Sequence, residues 1–190
     1  STNDLRAAYF QINKQAKGNL QGVIIDLRNN PGGVLGAAVG ISDLFLQTGK
    51  IVETKGRSLN SALKYKATPQ DITNGIPLII MVNEGSASAS EIVAGALQDN
   101  KRAKILGTKS YGKASVQTIQ ELSDGSALKL TTAKYYTPLG KDIHENGITP
   151  DIIVETSDED SVQLPEPYDK DKQLYEAIKI LSLEQVSQTE

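Results

Sequence analysis

Residues 76–102, "IPLIIMVNEGSASASEIVAGALQDNKR", constrain the fold more than any other part of the chain. Five consecutive apolar residues, Leu78 to Val82, are closed by Asn83 and Gly85, which is the pattern of a short buried strand. The segment after them, from Ser90, carries apolar residues at helical spacing, so the stretch reads as one strand, loop and helix unit. Other parts of the chain repeat this order. Residues 22–30, "GVIIDLRNN", form a short β-branched run that stops at the turn cluster Asn29-Asn30-Pro31-Gly32-Gly33. A helix apolar on most faces is predicted over 34–49, with short strands over 50–57 and 103–110. Leu5, Ala8, Tyr9, Ile12 and Ala16 predict a further amphipathic helix over 3–16. This alternation up to about residue 107 predicts an α/β fold with a largely parallel sheet flanked by helices.

The pattern then changes. "ASVQTIQEL" and "ALKLTTAKYYTP" flank the turn "SDGS" and predict a β-hairpin, followed by the extended "IIVET". Residues 57–76 are polar and predict either a β-excursion or a mobile surface segment. Residues 156–171 are acidic and contain prolines, the composition of an exposed linker, and 170–185 carry Leu174, Ile178 and Leu181 at helical spacing. The expected organisation is a core over 1–156, then an acidic linker and a C-terminal helix packing back on the core over 157–190. The chain starts without Met and inside a predicted helix, as a fragment of a longer protein would. A net charge of −3 spread over both signs argues against nucleic acid as a partner. With no cysteine, the chain has neither a disulfide nor a thiol nucleophile.

A turn that ends a buried strand and opens a helix projects side chains beyond the sheet, where the helix N-terminus offers free N–H groups and a positive dipole end. Ser88 occupies that junction, between Ser86 and Ser90. Ser88 and Glu91 also match the Ser-x-x-Glu capping box, in which the hydroxyl only satisfies a helix donor. A nucleophilic serine needs a base. His144, the one histidine, lies in a polar turn-rich stretch where solvation is the ordinary state. Lys113, after a glycine at the start of a predicted strand, serves as base if it points into the site and burial lowers its pKa by about three units. A solvated surface lysine is the ordinary alternative. Asp26 and Arg28 read as a structural ion pair at a strand end, and Tyr135 and Tyr136 as hairpin packing or the wall of a groove.

The segments "GVIIDLRNNPGG", "MVNEGSASASEIVAGALQDNKRAKILGTKSYGKASVQTIQELSDGSALKLTTAKYYTPLGKDIHENGITPDIIVE" and "DKDKQLYEAI" together resemble the C-terminal processing peptidases, also called tail-specific proteases. The resemblance runs from about Gly22 to Ile178. It implies a core similar to the crotonase and Clp-peptidase fold, and an endopeptidase acting near the C-termini of unstructured protein substrates. It further implies Ser88 as nucleophile, Lys113 of "YGK" as general base, and Gln117 as the group orienting the amine. Strand periodicity would put residues 113, 115 and 117 on one face. The oxyanion hole would be formed by the backbone N–H groups of Gly33 and Ala89, with the missing side chain of Gly33 permitting close approach. By the same resemblance no metal or cofactor is required, an upstream PDZ-type domain is absent from this chain, self-association is expected, and the location is exported, in the bacterial periplasm or cell envelope. Two other readings keep the fold: a crotonase-like enzyme acting on acyl-thioesters, and a catalytically silent binding or scaffold module.

Overall fold

Every residue of the run Leu78–Val82 is buried, as a strand at the centre of a sheet covered on both faces requires. The computed structural model describes residues 2–56, 62–155 and 170–186. Along them run α1 (Thr2–Gln15), β1 (Val23–Asp26), α2 (Leu35–Asp43), β2 (Lys50–Gly56), β3 (Lys64–Lys66) and β4 (Leu78–Val82). After these come α3 (Ala89–Asp99), β5 (Lys104–Gly107), β6 (Ser115–Glu121), β7 (Ala127–Tyr136), β8 (Ile152–Ile153) and α4 (Lys172–Val186). The acidic stretch read as a linker lies outside the described residues up to 169, as do residues 57–61 of the polar segment.

Strands β1, β4, β5 and β8 form a parallel sheet in the order β1-β4-β5-β8. Side chains alternate across β4 and so build two cores. Leu78, Ile80 and Val82 join Ile92, Val93 and Leu97 of α3 and Ala38 of α2 in the larger core. Ile79 and Met81 point the other way and join Ala177 and Leu181 of α4. Truncating one of these buried side chains to alanine costs about 2–5 kcal/mol.

The expectation of an α/β fold with a parallel, helix-flanked sheet holds, with one reassignment. The strand predicted over 50–57 is outside the parallel sheet: β2 belongs to an antiparallel sheet of order β3-β2-β7-β6. Its burial changes along its length from buried Ile51 and Val52 to exposed Lys55 and Gly56, which suits a sheet with one wetted part. Helix α2 also ends earlier than predicted, at Asp43. Leu44, Phe45 and Leu46 leave the helix while staying buried, and the Asp43 carboxylate instead accepts the Thr68 hydroxyl at 2.8 Å.

Because β1, β4 and β5 are parallel, the loops after them, residues 27–34, 83–88 and 108–114, leave the same edge of the sheet. All but one of the expected site residues lie on these loops or in the first turn of α3.

Candidate active site

The three alternating serines have different tasks. Ser86 is fully buried: its hydroxyl donates to the Leu27 carbonyl at 2.7 Å and accepts the Asn83 N–H at 3.0 Å, and its carbonyl accepts the Tyr111 N–H at 3.0 Å. Ser90, also buried, donates to the Asn30 carbonyl at 3.0 Å, and that carbonyl also accepts the Ala87 N–H at 3.0 Å. These two residues tie the three loops together. Ser88, between them, is half-buried with φ 57° and ψ −114°, a region that costs a non-glycine residue about 1–3 kcal/mol. It stands in capping-box arrangement with Glu91, whose carboxylate accepts the Ser88 N–H at 2.8 Å, but the Ser88 hydroxyl makes no cap hydrogen bond. The strained backbone therefore presents at the helix mouth a hydroxyl that faces the Glu91 backbone N–H in the capping box without closing a cap hydrogen bond.

Glu91 does more than start the helix. It is 1% exposed, and its carboxylate gathers donors from two loops. Oε1 accepts the Ser110 hydroxyl and the Gly112 N–H, each at 2.6 Å, while Oε2 accepts Lys113 N–H at 2.9 Å in addition to Ser88 N–H. One oxygen thus holds the backbones of Ser88 and Lys113 together. The lysine loop is clamped from the other side by residues 143–148: Glu145 N–H donates to the Gly112 carbonyl at 2.9 Å, and Ile148 N–H to the Ser110 hydroxyl at 2.7 Å. Sequence reasoning placed Glu91 only at the helix start. The sequence signal is a carboxylate in the first turn of the helix, followed directly by the apolar run Ile92 to Leu97, where a buried charge needs partners from elsewhere.

The Lys113 side chain differs from expectation. Lys113 lies in the loop before β6, not on a strand, and its side chain is exposed, because Gly112 at φ 91° and the bonds to Glu91 draw the backbone inward and turn the side chain out. The strand-face relation proposed for residues 113, 115 and 117 does not hold either, since β6 starts at Ser115 and its register shifts between Val116 and Gln117. Gln117 is exposed and makes no hydrogen bond to Lys113 among the described residues.

At the expected oxyanion site the steric constraint falls one residue earlier than predicted. A Cβ on Gly32, at φ 101°, would meet the Ala87 carbonyl oxygen at 2.6 Å, the Ala89 nitrogen at 2.8 Å and the Ser88 Cβ at 2.9 Å. A Cβ on Gly33 would meet nothing within 4 Å. Gly32 therefore permits the close packing of the "NPGG" loop against the serine turn, while Gly33 borders open space. Ala89 is the first residue of α3, so its N–H has no acceptor within the helix.

The remaining candidates are structural. Arg28 pairs with Asp26 at 2.7 Å and with Asp171, ahead of α4, at 2.6 Å, and donates to the Gln173 side chain at 3.1 Å. Burial alone would raise the Asp171 carboxyl, but hydrogen bonds from Arg28 and from the backbone of Leu174 and Gln173 outweigh it and hold its pKa low. Tyr135 is buried in the antiparallel sheet, and Lys55 stacks its ammonium 4.7 Å from the ring centre of Tyr136. The His144 ring approaches the Glu145 carboxylate at 3.9 Å, and the His144 backbone N–H donates to the Asp142 carboxylate at 2.8 Å. Among the described residues no group of three His, Cys, Asp or Glu side chains is placed to hold a metal ion.

The family model of peptidase family S41 matches residues 1–154. A carboxy-terminal-processing protease of Bartonella bacilliformis is 52% identical over 166 residues, covering 87% of this chain and 37% of its own length. A carboxyl-terminal-processing protease of Synechocystis is 44% identical over 155 residues, covering 82% of this chain and 36% of its own. Among solved structures, the photosystem II D1 C-terminal processing protease superposes with a TM-score of 0.73 at 36% identity, over 82% of this chain and 40% of that one. The chain thus spans little more than a third of the length of the two curated relatives.

Proposed function

The chain belongs to peptidase family S41, and from that premise we propose that it carries the hydrolytic centre of a serine endopeptidase that cleaves near the C-termini of protein substrates. In this reading the Lys113 amine, uncharged, takes the proton of the Ser88 hydroxyl as Oγ bonds to the scissile carbonyl carbon. The N–H groups of Gly33 and Ala89 receive the oxyanion. The C–N bond then breaks and the leaving amine takes the proton from Lys113; water, deprotonated by the same lysine, attacks the acyl carbon, and the ester C–O bond breaks as Lys113 returns that proton to Ser88 Oγ. Gln117, which makes no hydrogen bond to Lys113 among the described residues, takes the role of orienting the amine when substrate is bound. The observation that supports this most is the Glu91 carboxylate, which fixes the backbone of a strained serine beside that of a lysine.

The Lys113 side chain is exposed, so in this reading the bound substrate is what covers its amine. The test is cleavage of an unstructured, apolar-ended peptide. Ser88→Ala and Lys113→Ala each abolish it without changing the far-UV spectrum, whereas a scaffold module or a thioester enzyme would show no dependence on Ser88. In the whole protein, the relatives' greater length accommodates a PDZ-type recognition domain and surfaces for self-association. We place that protein in the bacterial periplasm or cell envelope. No helix among the described residues is long and apolar enough to cross a membrane.

A further inference from the structure

The two edges of the antiparallel sheet are built differently. β3, at one edge, has three residues with a lysine at either end, the usual protection against pairing with another chain. β6, at the other, has seven residues, "SVQTIQE", with neither lysine nor proline. Its hydrogen bonding shows which groups are left over. At its start, Tyr135 N–H donates to the Ala114 carbonyl at 2.8 Å; at its end, Leu122 N–H donates to the Ser126 carbonyl at 2.8 Å. In an antiparallel pair the residues that bond across alternate with residues that bond outward. Between these limits the even-numbered residues therefore face β7. β7 absorbs the register shift, as Val116 pairs with Ala133 and Gln117 with Thr131. Ser115, Gln117, Ile119 and Glu121 thus direct their N–H and C=O groups to the side on which no strand among the described residues pairs with β6. Ile119 is also 67% exposed.

We propose that this open edge of β6 is the docking strand for the substrate main chain, with an extended peptide segment adding to the sheet as a fifth strand. The inference rests on the peptidase reading of Ser88 and extends it to the form in which substrate binds. It commits to a peptide rather than a folded partner because the edge starts two residues after Lys113 and runs away from it. A segment paired with Ser115 and Gln117 therefore lies against the lysine loop. Recognition of this kind uses main-chain hydrogen bonds for affinity and alternate side chains for selectivity, so the substrate must be unstructured where it binds. Such a strand would also cover the Lys113 amine, supplying the exclusion of water that the exposed side chain lacks.

The test is binding of an unstructured apolar-ended peptide to the Ser88→Ala chain, read by amide hydrogen exchange and by a backbone N-methyl scan of the peptide. Exchange at Ser115, Gln117 and Ile119 slows by about tenfold or more on binding, while the amides already bonded to β7 do not change. N-methylation weakens binding by about tenfold at every second peptide position and little between. Absence of peptide binding, binding without this alternation, or protection of the edge that appears without peptide and grows with protein concentration would each overturn the proposal, the last by identifying a second copy of the chain as the occupant. Neither readout depends on turnover, so an inactive Ser88 would overturn the hydrolytic assignment alone.

Discussion

The carboxylate of Glu91 accepts the backbone N–H of Lys113 at 2.9 Å across 22 residues of chain. The same oxygen accepts the N–H of Ser88, so a shift of the lysine loop cannot occur without disturbing the serine turn. Replacing Glu91 by alanine strands four donors, two of them on buried residues. The expected loss of stability is at least about 3 kcal/mol, measured by urea unfolding. Glu91→Gln keeps the volume but turns an NH₂ toward one of the two donor pairs. It should remain folded and lose about 10–100-fold in kcat, because the pair it repels includes a residue of the lysine loop in either orientation. Equal kcat for Glu91→Gln and the parent would mean that Glu91 is structural only.

The alternating serines separate stability from activity. Ser86→Ala removes one of the two donors to the Leu27 carbonyl, which keeps the Asn30 N–H, and the hydroxyl that accepts the Asn83 N–H, and should cost about 1–3 kcal/mol. Ser88→Ala removes a hydroxyl that makes no cap bond, so its unfolding midpoint should match the parent's while cleavage is lost. Chemical unfolding of both variants beside a peptide assay reads the two effects independently.

How much of this was readable in advance depended on how local the cause was. The run Leu78–Val82 announces itself because one short segment contains both the burial and its limits. The Arg28–Asp26 ion pair was expected because both partners sit on one strand end, whereas its extension to Asp171 joins residues 143 positions apart and has no local sign. For Glu91 the local pattern signals only a helix start, because three of its four donors come from the loop 110–113. The Lys113 side chain was placed inward on the premise of a strand, but Gly112 with its positive φ ends any regular alternation before the strand starts.

The glycines of the "NPGG" turn give a paired test. Gly32→Ala drives a Cβ into the Ala87 carbonyl at a φ that alanine resists, displacing the serine turn, so kcat should fall by about 100-fold or more. Gly33→Ala adds a methyl to open space and keeps its N–H, so its kcat should stay within about threefold of the parent. The opposite ranking would move the oxyanion site away from this loop.

Acid should loosen α4. The Asp171 pKa is held below the ordinary carboxylate range in the folded protein. The stability it contributes is therefore fully present above about pH 4 and is lost as pH falls through the lowered value. Asp171→Asn should remove about 3 kcal/mol at neutral pH and flatten the acid limb, as seen in unfolding curves collected from pH 2 to about pH 7. An unchanged acid limb would assign the acid sensitivity to other carboxylates.

The central claim is that the Ser88 hydroxyl gives up its proton to Lys113. Labelling with an active-site fluorophosphonate, located by mass spectrometry, tests it directly. The expected adduct is on Ser88 and forms faster as pH is raised, and at least about 100-fold more slowly in Lys113→Ala. Labelling of Ser88 at the parent rate in Lys113→Ala, or an adduct on Ser86 or Ser90 instead, would contradict it.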